Sequence, residues 1–112
     1  MAMVRLREVL ERAFDVYLNM YSYYAIAAMH IGDNDIFKRF LDRAMHWAHI
    51  FRDYIDQELG KQLLDALGDL YNKSMGSTFE VEDIVREAEI KIQNIFLEYI
   101  ERKANQLWGI NT

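Results

Sequence analysis

The sequence predicts an all-α protein: a single domain, residues 1–112, built as an up-down bundle of four helices. Apolar residues recur at helical spacing along nearly the whole chain, without strand-like alternation of useful length. The chain contains no proline, which suits long uninterrupted helices. Three short breaks, each containing glycine, divide it into predicted helices at about 4–30, 34–58, 61–74 and 79–108. Short connections of this kind favour antiparallel neighbours.

The residues at the breaks agree with these boundaries. Gly32 follows the first helix, where a left-handed closing residue is favoured, and Asp33 is placed to cap the second. The break between the second and third helices is predicted at Gly60. Ser77 and Glu80, three residues apart, form a capping box for the fourth helix, with further acidic residues in its first turn.

Composition excludes several classes of function. Without cysteine there is no disulfide framework, no thiolate zinc site and no cysteine nucleophile. The net charge is −5 and no segment forms a basic patch, so we expect no nucleic-acid partner and no binding to an anionic membrane. The most apolar stretch, 13–31, is interrupted by Asp15 and Asn19, and the N-terminal residues lack the apolar region of a signal peptide. We therefore expect a cytoplasmic protein.

Two helices carry more apolar surface than one small bundle needs. In the first helix, the apolar residues Ile26 and Met29 occupy positions where the polar stripe would continue. The fourth helix has a second apolar stripe that includes Ile90 and Leu97. The third helix is predicted to be too short to cover the groove left by the other three. Scattered exposed apolar residues are one explanation. We favour a second copy of the chain related by a two-fold axis, so that the partner is the protein itself, with a different protein as the alternative. The predicted interface residues are Tyr23, Ile26, Met29, Ile90, Leu97 and Trp108.

The second helix offers candidate metal ligands. Asp42, His46, His49 and Asp53 follow one another at spacings of four, three and four, which places them on one face. Two imidazoles one turn apart are able to chelate a divalent cation, and flanking carboxylates supply ligands or orient the rings. The alternative, which we favour, is a solvated face with local ion pairs. A divalent metal is the one cofactor for which the sequence offers ligands.

No arrangement of residues predicts catalysis. The chain has no glycine-rich phosphate loop and no serine–histidine–acid pattern. Glu87 and Glu89 are two residues apart and so do not share a helix face, which leaves no acid/base pair. Four tyrosines cluster in the first helix, where such rings usually pack in the core with their hydroxyls at its edge. We therefore expect a non-enzymatic interaction protein that works as a homodimer or a higher homo-oligomer, with no catalytic and no cofactor-binding residues.

Residues 11–55 resemble the first helical hairpin of the ferritin-like and rubrerythrin superfamily. The resemblance rests on a tyrosine- and alanine-rich first helix, the Gly-Asp turn at 32–33, and a second helix with the residues Phe40, Ala44, Ala48, His49, Phe51, Asp53, Tyr54 and Ile55. It implies a two-metal site made from a glutamate on one helix and Glu-x-x-His on the next, repeated in the second half. Glu11 matches the first glutamate and His49 the histidine, but His46 occupies the second glutamate's position. The second half supplies Glu87 alone, which implies a degenerate relative or a half-site completed by a partner chain.

Residues 36–55 also resemble the second helix of HEPN-type proteins, the small helical partners of minimal nucleotidyltransferases. The matching segments are Arg39-Phe40, Trp47-Ala48 and Arg52-Asp53-Tyr54. Catalytic HEPN proteins carry an arginine and a histidine four to six residues apart, usually with a polar residue after the arginine. Arg43 and His49 have this spacing, but Ala44 follows the arginine. The resemblance implies a ribonuclease or a nucleotidyltransferase partner as a further alternative.

Overall fold

The protein is a four-helix bundle, as predicted. The computed structural model describes residues 2–76 and 80–108, and the side chains of 5–76 and 80–106. Within these ranges no residue is in a β-strand. The helices pack in chain order into a ring, α4 against α1, in a molecule of 50 × 24 × 18 Å. Their bounds are α1 Ala2–Met29, α2 Asn34–Tyr54, α3 Gln57–Gly76 and α4 Val81–Trp108.

The core is apolar and rich in aromatic rings from all four helices. Among the described residues no polar or charged side chain is buried, so the interior is a hydrophobic cluster. Phe51 of α2 packs edge-on against Tyr99 of α4, with ring centroids 5.6 Å apart. Each helix is amphipathic, and burial of its apolar face stabilises the bundle.

The turn between α1 and α2 confirms the predicted boundary residues. Gly32 has a φ of +109°, a conformation that glycine adopts without a steric penalty. The Asp33 carboxylate accepts a hydrogen bond from the Ile36 backbone N–H at 3.4 Å and so caps α2. His30 Nδ1 donates to the Ile26 carbonyl at 2.8 Å at the end of α1.

The boundary between α2 and α3 lies four residues earlier than predicted. α2 ends at Tyr54 rather than at 58, and the Asp56 carboxylate caps α3 by accepting from the Leu59 backbone N–H at 2.9 Å. Gly60 is therefore a buried residue inside α3, and the prediction that it breaks the chain between two helices is wrong. Its role is a close helix approach, because a Cβ atom there would lie 2.2 Å from the Cα atom of Arg52.

The earlier start changes the shape of the bundle. α3 is the shortest helix, but its 20 residues are only one fewer than those of α2. α1 and α4 each have 28 residues and are the long pair, at about 42 Å each. Because α3 is nearly as long as α2, the uncovered apolar surface does not arise from a short α3. We expect it along the two longest helices, α1 and α4.

The first turn of α4 carries Glu82 and Asp83, as predicted for the positive end of a helix dipole. The Ile84 backbone N–H donates to the Glu80 carbonyl at 3.1 Å. The predicted capping residue Ser77 lies outside the described residues. Within the described part of the chain, no helix combines the length and the apolar character needed to cross a lipid bilayer.

Candidate interaction surface

Three contacts fix how α1 lies against α4. Phe14 packs edge-on against Phe96 with ring centroids 5.1 Å apart, and the Tyr21 hydroxyl donates to the Glu89 carboxylate. The Tyr24 hydroxyl donates to the Val85 carbonyl at 3.3 Å. As residue numbers rise along α1 they fall along α4, so the helices are antiparallel. This register places Leu18 level with the part of α4 between residues 90 and 97.

Among the described residues, six large apolar side chains are exposed along this pair of helices, and four of them lie away from the helix ends. The exposed fraction is 42% for Phe14, 53% for Leu18, 50% for Ile90 and 53% for Leu97. Phe14 and Leu18 are four residues apart and Ile90 and Leu97 seven apart, so each pair shares one side of its helix. We call the surface formed by these four residues the α1/α4 face. α1 and α4 also pack together more loosely than the other neighbouring helices.

The polar residues beside these four already have partners within the chain. The Ser22 hydroxyl donates to the Leu18 carbonyl at 2.7 Å, and the Gln93 amide donates to Glu89 at 3.2 Å. Ion pairs lie towards the ends of the face, with Arg7 and Glu11 3.0 Å apart near one end. A second pair, Arg86 and Asp83, lies near the other end. The centre is therefore apolar and the ends carry both signs of charge, the usual anatomy of an interface.

The predicted interface residues are divided between several surfaces. Ile90 and Leu97 lie on the α1/α4 face, and Met29 is 80% exposed at the end of α1. Tyr23 is half-buried and stacks on Phe40 of α2 with ring centroids 6.2 Å apart. Ile26 is also half-buried. The side chain of Trp108 lies outside the described residues.

Phe14 and Leu18 were missed by the sequence analysis. Other residues of α1 form its core side, among them Ala13, Tyr17 and Met20, and neither Phe14 nor Leu18 belongs to the polar stripe. The available signal was the spacing of four between two large apolar residues flanking the core positions, which indicates a second apolar strip on the same helix.

A tyrosine cluster joins α1 to α4 beneath this face. Burial raises the pKa of Tyr17 to about 12, assisted by the nearby Tyr21 and Glu89. The hydrogen bond to Glu89 raises the pKa of Tyr21, and burial raises that of Tyr24. Tyr17 also stacks on Phe96 with centroids 3.9 Å apart. The predicted packing role of these rings is consistent with these contacts, which move the ionisation of the phenols to higher pH.

The candidate metal ligands form an exposed stripe on α2. Asp42, His46, His49 and Asp53 are all exposed, and the Asp53 carboxylate accepts a hydrogen bond from Arg52 at 2.9 Å. That hydrogen bond lowers the pKa of Asp53. Within the described residues, no three histidine or carboxylate side chains are arranged to hold a metal ion. The metal site stays a prediction for the assembled protein.

The residues singled out by the two resemblances are also on the outside. Glu11 is paired with Arg7, Glu87 with Lys73 and Lys91, and His49 is exposed on α2. Arg43 lies over aromatic rings on the α1 side of α2. Both resemblances stay predictions.

A groove with a volume of about 630 Å³ lies between α3 and α4. Lys73 contacts Asp69 and Glu87, and Lys91 contacts the same two carboxylates, at distances of 2.9 to 3.4 Å. These hydrogen bonds raise the pKa of each lysine and lower that of each carboxylate. The four charges thus compensate one another, and the lining of the groove also includes the carboxylates of Asp65 and Glu98.

No family model, curated protein or solved structure matches this chain.

Proposed function

We propose that this protein is a non-enzymatic interaction protein that works as a homodimer through its α1/α4 face. The supporting observation is the group of four large apolar side chains, each 42 to 53% exposed, along the most loosely packed pair of helices. A group of large exposed apolar side chains on a small protein indicates an interaction site. Burying it releases ordered water and stabilises the complex.

A second copy fits this face better than a small ligand does. One side of the molecule, 50 Å long and 24 Å wide, leaves room for an interface of standard size, in which each partner buries roughly 800 Å². The four side chains are exposed on the outside of two helices, whereas small-molecule sites are usually concave. In a two-fold dimer the same patch meets itself, so the apolar centre of one copy covers that of the other.

The charges at the ends of the face also permit self-association. Each end carries one basic and one acidic residue in an ion pair, Arg7 with Glu11 and Arg86 with Asp83. A second copy rotated about a two-fold axis therefore faces both positive and negative side chains at each end. No group of like charges opposes its approach.

The double substitution Ile90→Asp with Leu97→Asp tests this proposal. Both side chains are about half exposed in a single chain, so carboxylates there remain hydrated and the fold is retained. In a dimer the same carboxylates are buried without partners, and association is lost. We expect light scattering to report a dimer for the parent protein and a monomer for the variant.

Met75→Asp is the matched control, because Met75 is 47% exposed but lies on α3. This variant remains dimeric if the α1/α4 face is the interface. Far-ultraviolet circular dichroism establishes that all three proteins are equally helical. A helical, fully dimeric Ile90→Asp/Leu97→Asp variant would refute the proposed interface. A monomeric parent protein would leave a different protein as the partner and refute the homodimer.

A further inference from the structure

A cluster of arginine and aromatic side chains lies on the side of α2 that faces α1. The guanidinium of Arg43 lies over the Phe40 ring at 5.1 Å and over the Tyr23 ring at 5.8 Å. The two rings themselves stack, with centroids 6.2 Å apart. The guanidinium is thus held against a two-ring platform supplied by both helices. We call Tyr23, Phe40 and Arg43, together with Arg39 one turn earlier on α2, the arginine–aromatic cluster.

Arg43 forms no ion pair among the residues that the structure describes. Arg43 is exposed, and neither it nor Arg39 forms a hydrogen bond or an ion pair with another described residue. Asp35 and Asp42 lie near them on the same helix, but neither is paired with these arginines. A guanidinium that rests on aromatic faces keeps the N–H donors along its edge available, and these donors match the two oxygens of a carboxylate.

The contacts with the two rings also hold the Arg43 side chain in place before a ligand binds. A free arginine loses rotamer entropy when it is fixed by a ligand. Here the cation–π contacts already restrict the side chain, so less entropy is lost on binding. Tyrosine and arginine are also enriched among the residues that dominate protein–protein binding energy.

Charge is divided unevenly along the chain. Residues 1–54 contain six of the eight arginines and have seven basic and seven acidic side chains. Residues 55–112 contain six basic and eleven acidic side chains, which accounts for the whole net charge of −5. The cluster therefore lies in the electrically neutral half of an acidic protein. A polyanion as dense as a nucleic acid is repelled by the protein as a whole. A short acidic protein segment carries less charge and is a better electrostatic match.

We propose that the arginine–aromatic cluster binds a glutamate- or aspartate-rich segment of a partner protein, with Arg43 and Arg39 each pairing with one carboxylate. The two arginines are four residues apart and so project from neighbouring turns of one helix face. Tyr23 and Phe40 supply the apolar floor beneath the bound segment. This surface is distinct from the α1/α4 face, and the proposal does not depend on dimer formation.

The test uses the full chain, labelled with 15N, and an acetylated, amidated Ser-Glu-Ser-Glu-Ser peptide, which carries two carboxylates, as the probe. We expect peptide-dependent shifts in the NMR spectrum at the Arg43 and Arg39 Nε–H groups and at the backbone amides of residues 23 and 40. Arg43→Gln lowers the affinity by about tenfold, the value for loss of a charge-assisted hydrogen-bond pair. Arg43→Lys retains the charge but loses the planar fork, so it restores only part of the affinity.

Arg7→Gln is the matched control, because it removes the same charge from a guanidinium already paired with Glu11. Binding weakened equally by Arg7→Gln and Arg43→Gln would reveal general charge attraction and overturn the site. Inorganic phosphate or an oligothymidylate that binds at the cluster more tightly than the peptide would overturn the assignment to an acidic protein segment. Absence of shifts at millimolar peptide would also overturn the proposal.

Discussion

Gly60 of α3 lies against the backbone of Arg52 in α2, so close that a Cβ atom on Gly60 would stand 2.2 Å from the Arg52 Cα atom. This approach is possible because glycine has no side chain. It brings the start of α3 back onto the end of α2 after a turn of two residues. Gly60 thus determines how the second half of the bundle packs on the first.

Gly60→Ala is therefore expected to destabilise the protein by at least about 2 kcal/mol, since the added methyl group meets backbone atoms that have to move. Gly68→Ala, inside the same helix but with open space around the Cβ position, is the control. It is expected to stabilise by about 0.5–1 kcal/mol through helix propensity. Urea denaturation followed by circular dichroism at one protein concentration measures both. Equal effects of the two substitutions would show that the close contact has no energetic consequence.

The two most deeply buried tyrosines should respond oppositely to loss of their hydroxyl groups. The Tyr24 hydroxyl donates to the Val85 carbonyl, whereas the buried Tyr99 hydroxyl has no hydrogen-bond partner among the described residues. Tyr24→Phe should cost about 1 kcal/mol, because it removes a part-buried hydrogen bond between α1 and α4. Tyr99→Phe should leave stability unchanged or raise it. A larger loss for Tyr99→Phe in thermal denaturation would contradict these assignments.

Stability should fall at alkaline pH because of Tyr17. Its pKa is about 12 in the folded protein against 10.0 for an ordinary tyrosine. Below pH 10 the phenol is neutral in both states, and the full stabilisation is present. Between pH 10 and 12 the unfolded chain ionises first, so the free energy of unfolding decreases by about 1.4 kcal/mol per pH unit for this one group.

Tyr17→Phe isolates this contribution, because the other tyrosines and the lysines titrate in both proteins. Urea denaturation at several pH values between 9 and 11.5 should give a slope for Tyr17→Phe that is smaller by about one proton. Parallel pH dependences for the two proteins would mean that Tyr17 ionises equally easily in the folded and unfolded states.

The histidine stripe of α2 provides a prediction about metal. We expect protein purified without an affinity tag to contain less than one divalent metal ion per chain. His46→Ala with His49→Ala should leave that content unchanged, because the stripe is exposed and the described residues bring no third ligand to it. Elemental analysis by mass spectrometry provides the measurement. One metal ion per chain, lost in the double variant, would instead support the metal-binding alternative.

Local sequence rules predicted the α1–α2 turn correctly and the α2–α3 turn incorrectly, for a physical reason. Gly32 and Asp33 act through their own backbone conformation and a hydrogen bond three residues away, so short-range patterns suffice. A glycine between two helical patterns is the usual sequence sign of a helix break, and Gly60 has this sign. Its true role depends on contact with Arg52 of another helix, which no local pattern contains.

The candidate surface was predicted only in part for a similar reason. Ile90 and Leu97 are visible in the sequence as an extra apolar stripe, and both are exposed in the structure. Phe14 and Leu18 flank the core positions of α1, where apolar residues often pack against a neighbouring helix. Their exposure depends on how loosely α4 packs beside them, which is a property of the assembled bundle.

Sedimentation velocity of the unmodified chain tests most directly whether a second copy covers the α1/α4 face. The measurement covers micromolar to near-millimolar concentrations. We predict a species of twice the 13.3 kDa mass of one chain, present at all but the lowest concentrations. A particle that keeps the mass of one chain up to the highest concentration would contradict the homodimer.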